Sequence, residues 1–285
     1  GDRIEAVVTQ PDRPKGRGRV PSPSPVKSAA LALDLPIHQP RSVKTPEEIA
    51  WTRGLGPDLL VVVAFGQILT PDLLYAPRVG PLNLHPSLLP AYRGPAPINW
   101  AILNGETETG VTTMFMDEGV DTGPVLLSRR LVIGEEETAG HLHDRLAEAG
   151  AALLLETITA LKVGTVIPGP QPPESPFVGR RLDKSDGRID WTRPAEQLAR
   201  LVRGLDPWPG AHTTFKGRSV KLFGARPGPG RGEPGRVLAL DQGRLHVAAG
   251  EGSLGLAELQ VEGHRRQSAG QFWNGQRLSR SDYFV

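Results

Sequence analysis

Residues 59–64 read Leu-Leu-Val-Val-Val-Ala, an unbroken apolar run short enough for one strand and lacking the alternation of a strand that faces water on one side. Such a run, rich in β-branched residues, predicts a strand covered on both faces, as in a parallel sheet. Upstream, Ile4–Val8 and Leu35–His38 read as short strands, and Pro25–Leu33 and Pro46–Leu55 as helices. Downstream, Pro81–His85, Val111–Met116 and Val125–Val132 read as strands. Pro97–Asn104 reads as a helix with proline at its start and Gly105 just past its end. Thr138–Leu161, rich in Ala, Leu and Glu, reads as a long helix. Strands alternating with helices predict the α/β class: a doubly wound, mostly parallel sheet with helices on both faces.

The pattern changes after residue 165. Residues 166–176, VIPGPQPPESP, carry five prolines and no usable period, which predicts a linker or an extended segment on the surface. A helix is expected at Pro194–Arg203. Five short strands broken by turn residues follow, at His212–Phe215, Ser219–Gly224, Arg236–Leu240, Arg244–Ala248 and Leu254–Val261. They predict a small carboxyl-terminal β-barrel, of the oligonucleotide-binding type. The expected division is an α/β domain over residues 1–165, a linker and connecting helix over 166–204, and the barrel over 205–285.

The chain has 285 residues, 38% hydrophobic and 22% charged, enough to bury a sizeable core. It contains no cysteine, which excludes disulfides, zinc–cysteine sites and thiol catalysis and fits a reducing compartment. No apolar run approaches the roughly 20 residues of a membrane span, and Gly1–Arg3 lead straight into a strand with no signal peptide in view. A cytoplasmic protein without membrane contact is therefore expected. The net charge of +2 is unevenly spread: residues 1–160 sum to −5 and residues 161–285 to +7. A basic region joined to an acidic one suggests a polyanionic partner.

The chemistry concentrates in Pro81–Gly94, PLNLHPSLLPAYRG. Asn83 and His85, two apart at the end of a predicted strand, share one face of it. In open α/β sheets, sites gather beyond the carboxyl ends of strands. Pro86, Pro90 and Pro95 restrict the loop that follows. A later segment, MDEGVDTG (Met116–Gly123), has glycines for a tight loop and brings Asp121 as a third group. Amide, imidazole and carboxylate together suit acyl transfer to an amine. Asn83 can donate to the oxygen on which charge develops, His85 can exchange a proton near neutral pH, and Asp121 can orient the imidazole. The incoming amine is itself the nucleophile, so no Ser or Cys is required.

NLHPSLLPAYRG followed by DEGVDTGPVL resembles the signature of the folate-dependent formyltransferases. The resemblance implies a Rossmann-like core and 10-formyltetrahydrofolate as formyl donor, with no metal. It also implies a catalytic set that maps onto Asn83, His85 and Asp121. Ser87, Leu88, Leu89 and Pro90 correspond to the family's folate-binding element, and Phe65–Leu69 and Asp117–Asp121 to loops lining its pterin pocket. Within the family, two features resemble the methionyl-tRNA formyltransferases and imply initiator methionyl-tRNA as acceptor. One is TQPDRPKGRGRVPSPSPVK (Thr9–Lys27), which holds Arg13, Lys15, Arg17, Arg19 and Lys27 against one acid, Asp12. It is similar to the loop that those enzymes insert against the acceptor arm. The other is DGRIDW (Asp186–Trp191) with DPWPGA (Asp206–Ala211), similar to the elements joining the catalytic domain to a tRNA-binding barrel; Lys216, Arg218 and Lys221 would contribute there. The family implies a monomer. It also begins with a strand, a Phe-x-Gly-Thr-Pro turn and a helix before the strand that here is Ile4–Val8. This chain does not show that unit, so a longer natural protein is expected. Two strands are expected to carry unpaired edges in its absence.

Other features carry less. His141 and His143 sit two apart in a predicted helix, on different faces, which disfavours a metal site. Arg226–Arg236 is rich in glycine but lacks the Lys-Ser/Thr ending of a phosphate loop. The five tryptophans are expected to pack rather than to stack on bases. An amino-sugar nucleotide is the alternative acceptor, and a catalytically silent RNA-binding module the alternative of another class; retention of Asn83, His85 and Asp121 speaks against the latter. Arg17→Ala is expected to raise the KM for tRNA while folate affinity stays nearly constant, and an unchanged tRNA KM in steady-state assays rejects the role given to the basic loop.

Overall fold

The computed structural model describes residues 2–15 and 20–285; Arg17 and Arg19, singled out above, lie outside the described residues. In chain order the elements are β1 (Val7–Val8), β2 (Arg13–Lys15), β3 (Val20–Ser22), α1 (Pro25–Ala32), β4 (Ile37–His38), α2 (Pro46–Leu55), β5 (Leu59–Val62), α3 (Pro71–Leu74), β6 (Gly80–His85), α4 (Pro97–Asn104), β7 (Glu108–Phe115), β8 (Val125–Val132) and α5 (Ala139–Val163). Then come α6 (Ala195–Gly204), β9 (His212–Phe215), β10 (Arg218–Gly228), β11 (Val237–Asp241), β12 (Arg244–Ala248), β13 (Ser253–Val261), β14 (Gln267–Ser268) and α7 (Ala269–Gln276). The chain gathers into two compact units: Gly1–His85 with Thr113–Leu127 and Thr157–Gln171, and Pro86–Thr112 with Ser128–Glu156 and Pro172–Val285.

In the first unit, helix ends follow from local chemistry. The Ser24 hydroxyl accepts from the Lys27 amide (3.1 Å) and Pro25 opens α1. Thr45 accepts from the Glu48 amide (3.4 Å), Pro46 opens α2, and Gly56 ends it in the left-handed conformation. β5 pairs with β6 in parallel, Leu59 opposite Gly80 and Val62 opposite Asn83, and the sheet runs in the order β5-β6-β7-β8. β1 pairs in parallel with β4 in a separate two-stranded sheet. A side-chain link spans from the end of β1 to the end of β5, where Gln10 Nε2 donates to the Phe65 carbonyl (3.0 Å). Two expectations change here. The first strand shrinks to Val7–Val8, and Ile4 is exposed. Within the run 59–64 the strand is Leu59–Val62, and it is not covered on both faces: Val61, and Val63 just past its end, are 42% and 50% exposed. The reason is position, since β5 is an edge strand of its sheet and not a central one.

The second unit is built around α6. Its buried residues Ala195, Leu198, Ala199 and Val202 recur at the helical spacing of three and four, giving one apolar face. That face joins a core with Trp191, Phe215, Leu222, Leu256 and Phe272. Gly204 lets α6 approach α4 closely: a Cβ there would lie 3.0 Å from the Leu103 side chain, and the Gly204 carbonyl accepts from Asn99 Nδ2 (2.7 Å). The antiparallel sheet runs β11-β12-β13-β10-β9, with β14 added to β13. The carboxyl-terminal residues pair with both outer strands. Val285 and Thr214 exchange backbone hydrogen bonds (2.8 and 2.9 Å), and the Val237 amide donates to the Asp282 carbonyl (3.0 Å). The five anticipated strands are present, with the extra β14 and α7, whose start is a capping box of Ser268 and Gln271.

Trp208 departs from its expected packing role and is 53% exposed. Its neighbour Pro207 abuts Gly140, and Asp206 accepts from the Gly140 amide (3.0 Å), so the prolyl ring takes the inner place and the indole the outer one. Tyr92 lies buried, donates to Glu106 Oε1 (2.6 Å) and accepts from Asn104 Nδ2 (3.2 Å). Burial first, and then the Glu106 hydrogen bond, push its hydroxyl from the usual 10.0 up to about 12.

Leu198→Ala is expected to destabilise the protein by about 2–5 kcal/mol, seen as a lower midpoint in urea. The raised Tyr92 pKa stabilises the fold fully below pH 10, and that contribution is lost as pH rises from 10 toward 12. Tyr92→Phe should therefore flatten the alkaline fall of the unfolding midpoint across that window, and an unchanged slope rejects the assignment.

Candidate active site

β6 presents the first two groups. Along it Pro81, Asn83 and His85 alternate with Leu82 and Leu84, so Asn83 and His85 share a face, and both are buried, at 8% and 5% exposure. The start of the strand is held to the end of β7 by the Met116 amide donating to the Pro81 carbonyl (2.8 Å). A Cβ on Gly80 would meet the Phe115 ring at 2.9 Å, so only glycine fits there.

The loop after β7 carries the third group. Asp117 Oδ1 accepts from the Gly119 amide (3.0 Å) and from Thr122 Oγ1 (2.7 Å), folding the loop on itself. A Cβ on Gly123 would collide with the Phe115 carbonyl oxygen. Between these fixed points Asp121 takes a left-handed backbone, φ 54°, and its Oδ2 lies 3.5 Å from His85 Nδ1. Asn83, His85 and Asp121 all lie in the first unit. An imidazole with a carboxylate at Nδ1 is set in orientation, which leaves Nε2 as the nitrogen for proton exchange. Among the described residues, no group of three or more His, Asp or Glu is placed to hold a metal ion.

Ser87–Pro90 form a braced turn in the second unit. Ser87 is fully buried and its hydroxyl donates to the Ala91 carbonyl (2.6 Å). Thr112 Oγ1 donates to the Ser87 carbonyl (2.7 Å) and accepts from the Leu89 amide (3.3 Å). The Leu88 side chain lies against Gly110, where a Cβ would leave no room for it, and the Pro90 carbonyl accepts from Ser175 Oγ (2.5 Å). Thr112 was not legible as a loop support, because a threonine in a strand carries no signal of its own. Of the Phe65–Leu69 loop, Gln67 Oε1 accepts from the Val43 amide (3.1 Å).

The basic residues are scattered. Arg13 and the backbone of Lys15 belong to the hairpin of β2 and β3, and Arg13 Nη2 donates to Gln10 Oε1 (3.2 Å). Asp12 takes hydrogen bonds from Gln39 Nε2 (2.9 Å) and Lys27 Nζ (2.8 Å). These bonds, Gln39's first, hold its carboxyl below the usual range. Lys27 is thus engaged at home. In the second unit, Lys216 Nζ lies 3.3 Å from Asp282 and 4.9 Å from the centre of the Phe215 ring. Arg218 donates to the Glu262 carbonyl (3.2 Å), and Lys221 is exposed on β10 opposite His212.

Residues 2–158 match the Formyl transferase family, and residues 181–277 match the Formyl transferase, C-terminal domain. The chain is 49% identical over 278 residues to a methionyl-tRNA formyltransferase of Citrifermentans bemidjiense, covering 98% of this chain and 87% of that protein. It is 52% identical over 275 residues to that of Pelobacter propionicus, covering 96% and 86%. Among solved structures it resembles HypX from Aquifex aeolicus in complex with tetrahydrofolic acid (TM-score 0.62, 22% identity), over 85% of this chain and 44% of that one. It also resembles WlaRD, a sugar 3N-formyl transferase (TM-score 0.63, 17% identity), over 93% of this chain and all of that one. At such identities the two structures speak for the fold alone. With both family regions matched and about half of its residues shared with those two relatives, the chain belongs to the formyl transferase family, in the branch of the methionyl-tRNA formyltransferases.

Proposed function

We propose that this enzyme transfers the formyl group of 10-formyltetrahydrofolate to the α-amino group of initiator methionyl-tRNA, yielding N-formylmethionyl-tRNA for translation initiation. The acceptor amine attacks the formyl carbon, negative charge collects on the formyl oxygen, and the amine must shed a proton as the folate nitrogen leaves. Asn83 donates a hydrogen bond to that oxygen. His85 takes the amine's proton at Nε2 and returns it to the departing nitrogen, while Asp121 keeps the ring in one tautomer and stabilises its charged form. The observation that carries this reading is the 3.5 Å approach of Asp121 Oδ2 to His85 Nδ1, with the buried Asn83 on the same face of β6 as His85.

Ser87, Leu88, Leu89 and Pro90 contact the folate, and a turn already tied by Thr112 needs little reordering to receive it. Arg13, Lys15, Arg17 and Arg19 in the basic loop, with Lys216, Arg218 and Lys221 farther along, meet tRNA phosphates. The catalytic domain spans residues 1–165, the linker and connecting helix 166–204, and the tRNA-binding barrel 205–285. The protein works as a cytoplasmic monomer; no helix among the described residues is long and apolar enough to cross a membrane.

His85→Ala and Asp121→Asn are each expected to lose about 10²–10⁴-fold in the rate of formylmethionyl-tRNA formation, with the unfolding midpoint retained. Parental turnover in either variant sinks the catalytic assignment. A formylated amino-sugar nucleotide in place of formylmethionyl-tRNA redirects the acceptor.

A further inference from the structure

The residues 166–176 read from the sequence as a linker or surface segment, yet one of them enters the neighbourhood of the catalytic carboxylate. Gly169 exchanges two backbone hydrogen bonds with Val125, both 2.8 Å, which docks the segment against the start of β8. Two residues later the Gln171 side-chain amide turns inward. Its Nε2 donates to the Asp121 carbonyl (3.0 Å) and to the Gly123 carbonyl (2.7 Å), with Met114 Sδ at 3.8 Å. An amide nitrogen carries two hydrogens, and here two carbonyls of one loop take them.

The loop it grips has reason to need gripping. Asp121 holds a left-handed backbone, φ 54°, which non-glycine residues adopt uncommonly and keep only where the surroundings determine it. Asp117 fixes the near side of the loop through Gly119 and Thr122. The Gln171 amide ties the peptide of Asp121 from the side chain of another segment. Turning that peptide would swing the carboxylate away from His85 Nδ1, now 3.5 Å distant.

The geometry points to Gln171 as a positioning residue for catalysis: its amide clamps the Asp121 and Gly123 carbonyls and so aims the Asp121 carboxylate at His85. This rests on the proposed role of Asp121. It also makes the segment after α5 a working part of the first unit, because transfer then depends on whether residues 169–171 are docked.

The test compares Gln171→Met, similar in length without donors, with Asp121→Asn and with the double variant, using formyl transfer to methionyl-tRNA. Gln171→Glu, which keeps length and polarity but offers acceptors to two carbonyls, serves as a second variant should the methionine form fold poorly. A misaimed group can cost up to about 10²-fold, so kcat should fall by about tenfold to that limit in Gln171→Met, with the KM for both substrates little changed. The double variant should be no slower than Asp121→Asn alone, because the clamp acts only through that carboxylate. A merely structural role would instead multiply the two losses. Impaired Asp121→Asn beside full turnover in Gln171→Met, or multiplied losses in the double variant, overturns the positioning role and leaves the proposed function standing. Full turnover in Asp121→Asn overturns the catalytic role of Asp121 and the positioning role of Gln171 with it.

Discussion

The alternation of side chains along β6 is the constraint on which the site depends. A strand has a period of two, so Asn83 and His85 cannot both be buried on one side unless the register of the whole strand is right. That register is set by parallel pairing with β5, Val62 opposite Asn83, and by the hook from Met116 to Pro81. A slip of one residue would bring Leu82 and Leu84 to the face that Asn83 and His85 now share and turn the imidazole away. The loop bearing Asp121 leaves β7 next to that same hook, so one pair of backbone groups helps to place both halves of the carboxylate–imidazole contact.

Much of this was legible in the sequence, and for identifiable reasons. Proline at helix starts, glycine past helix ends and the apolar periods of α6 and the carboxyl-terminal strands are local signals, and local signals survive into the fold. Asn83 and His85 could be put on one face from their spacing alone. Asp121 could not be brought to them by spacing, since 36 positions separate it from His85; family resemblance supplied that link. What escaped were features created by chain segments meeting in space. The hydroxyl of Thr112 under the Ser87–Pro90 turn, the amide of Gln171 and the exposure of Trp208 depend on partners far along the chain. The apolar run 59–64 misled in one respect: hydrophobicity announces what a strand would prefer to touch, whereas its place at the edge of the sheet decides what it does touch.

The electrostatic pattern also refines on inspection. Summed by region, the carboxyl-terminal residues carry an excess of +7, but a formal sum counts cations that already have partners. Lys216 faces Asp282, Arg180 pairs with Asp186, and Arg226 with Glu136. Lys27, in the basic loop, is likewise turned toward Asp12. Exposed pairs of this kind are worth little to stability and open readily to a stronger anion. Until another anion competes for them, such pairs hold long side chains in place.

The pairing of residues 282–285 with both outer strands of the second sheet has a consequence for how the protein is made. The Thr213 hydroxyl donates to a carbonyl 72 positions ahead of it, at Val285 (3.0 Å), and the neighbouring backbone bonds close the same span. Contacts so far apart form late, because the chain must surrender the entropy of a long loop before they reward it. A nascent chain emerging from the ribosome therefore spends a period with β9 and β11 as open edges, the kind of surface on which strands of separate molecules join. Residues 282–285 act as a seal against self-association, and their docking closes both edges of the second sheet.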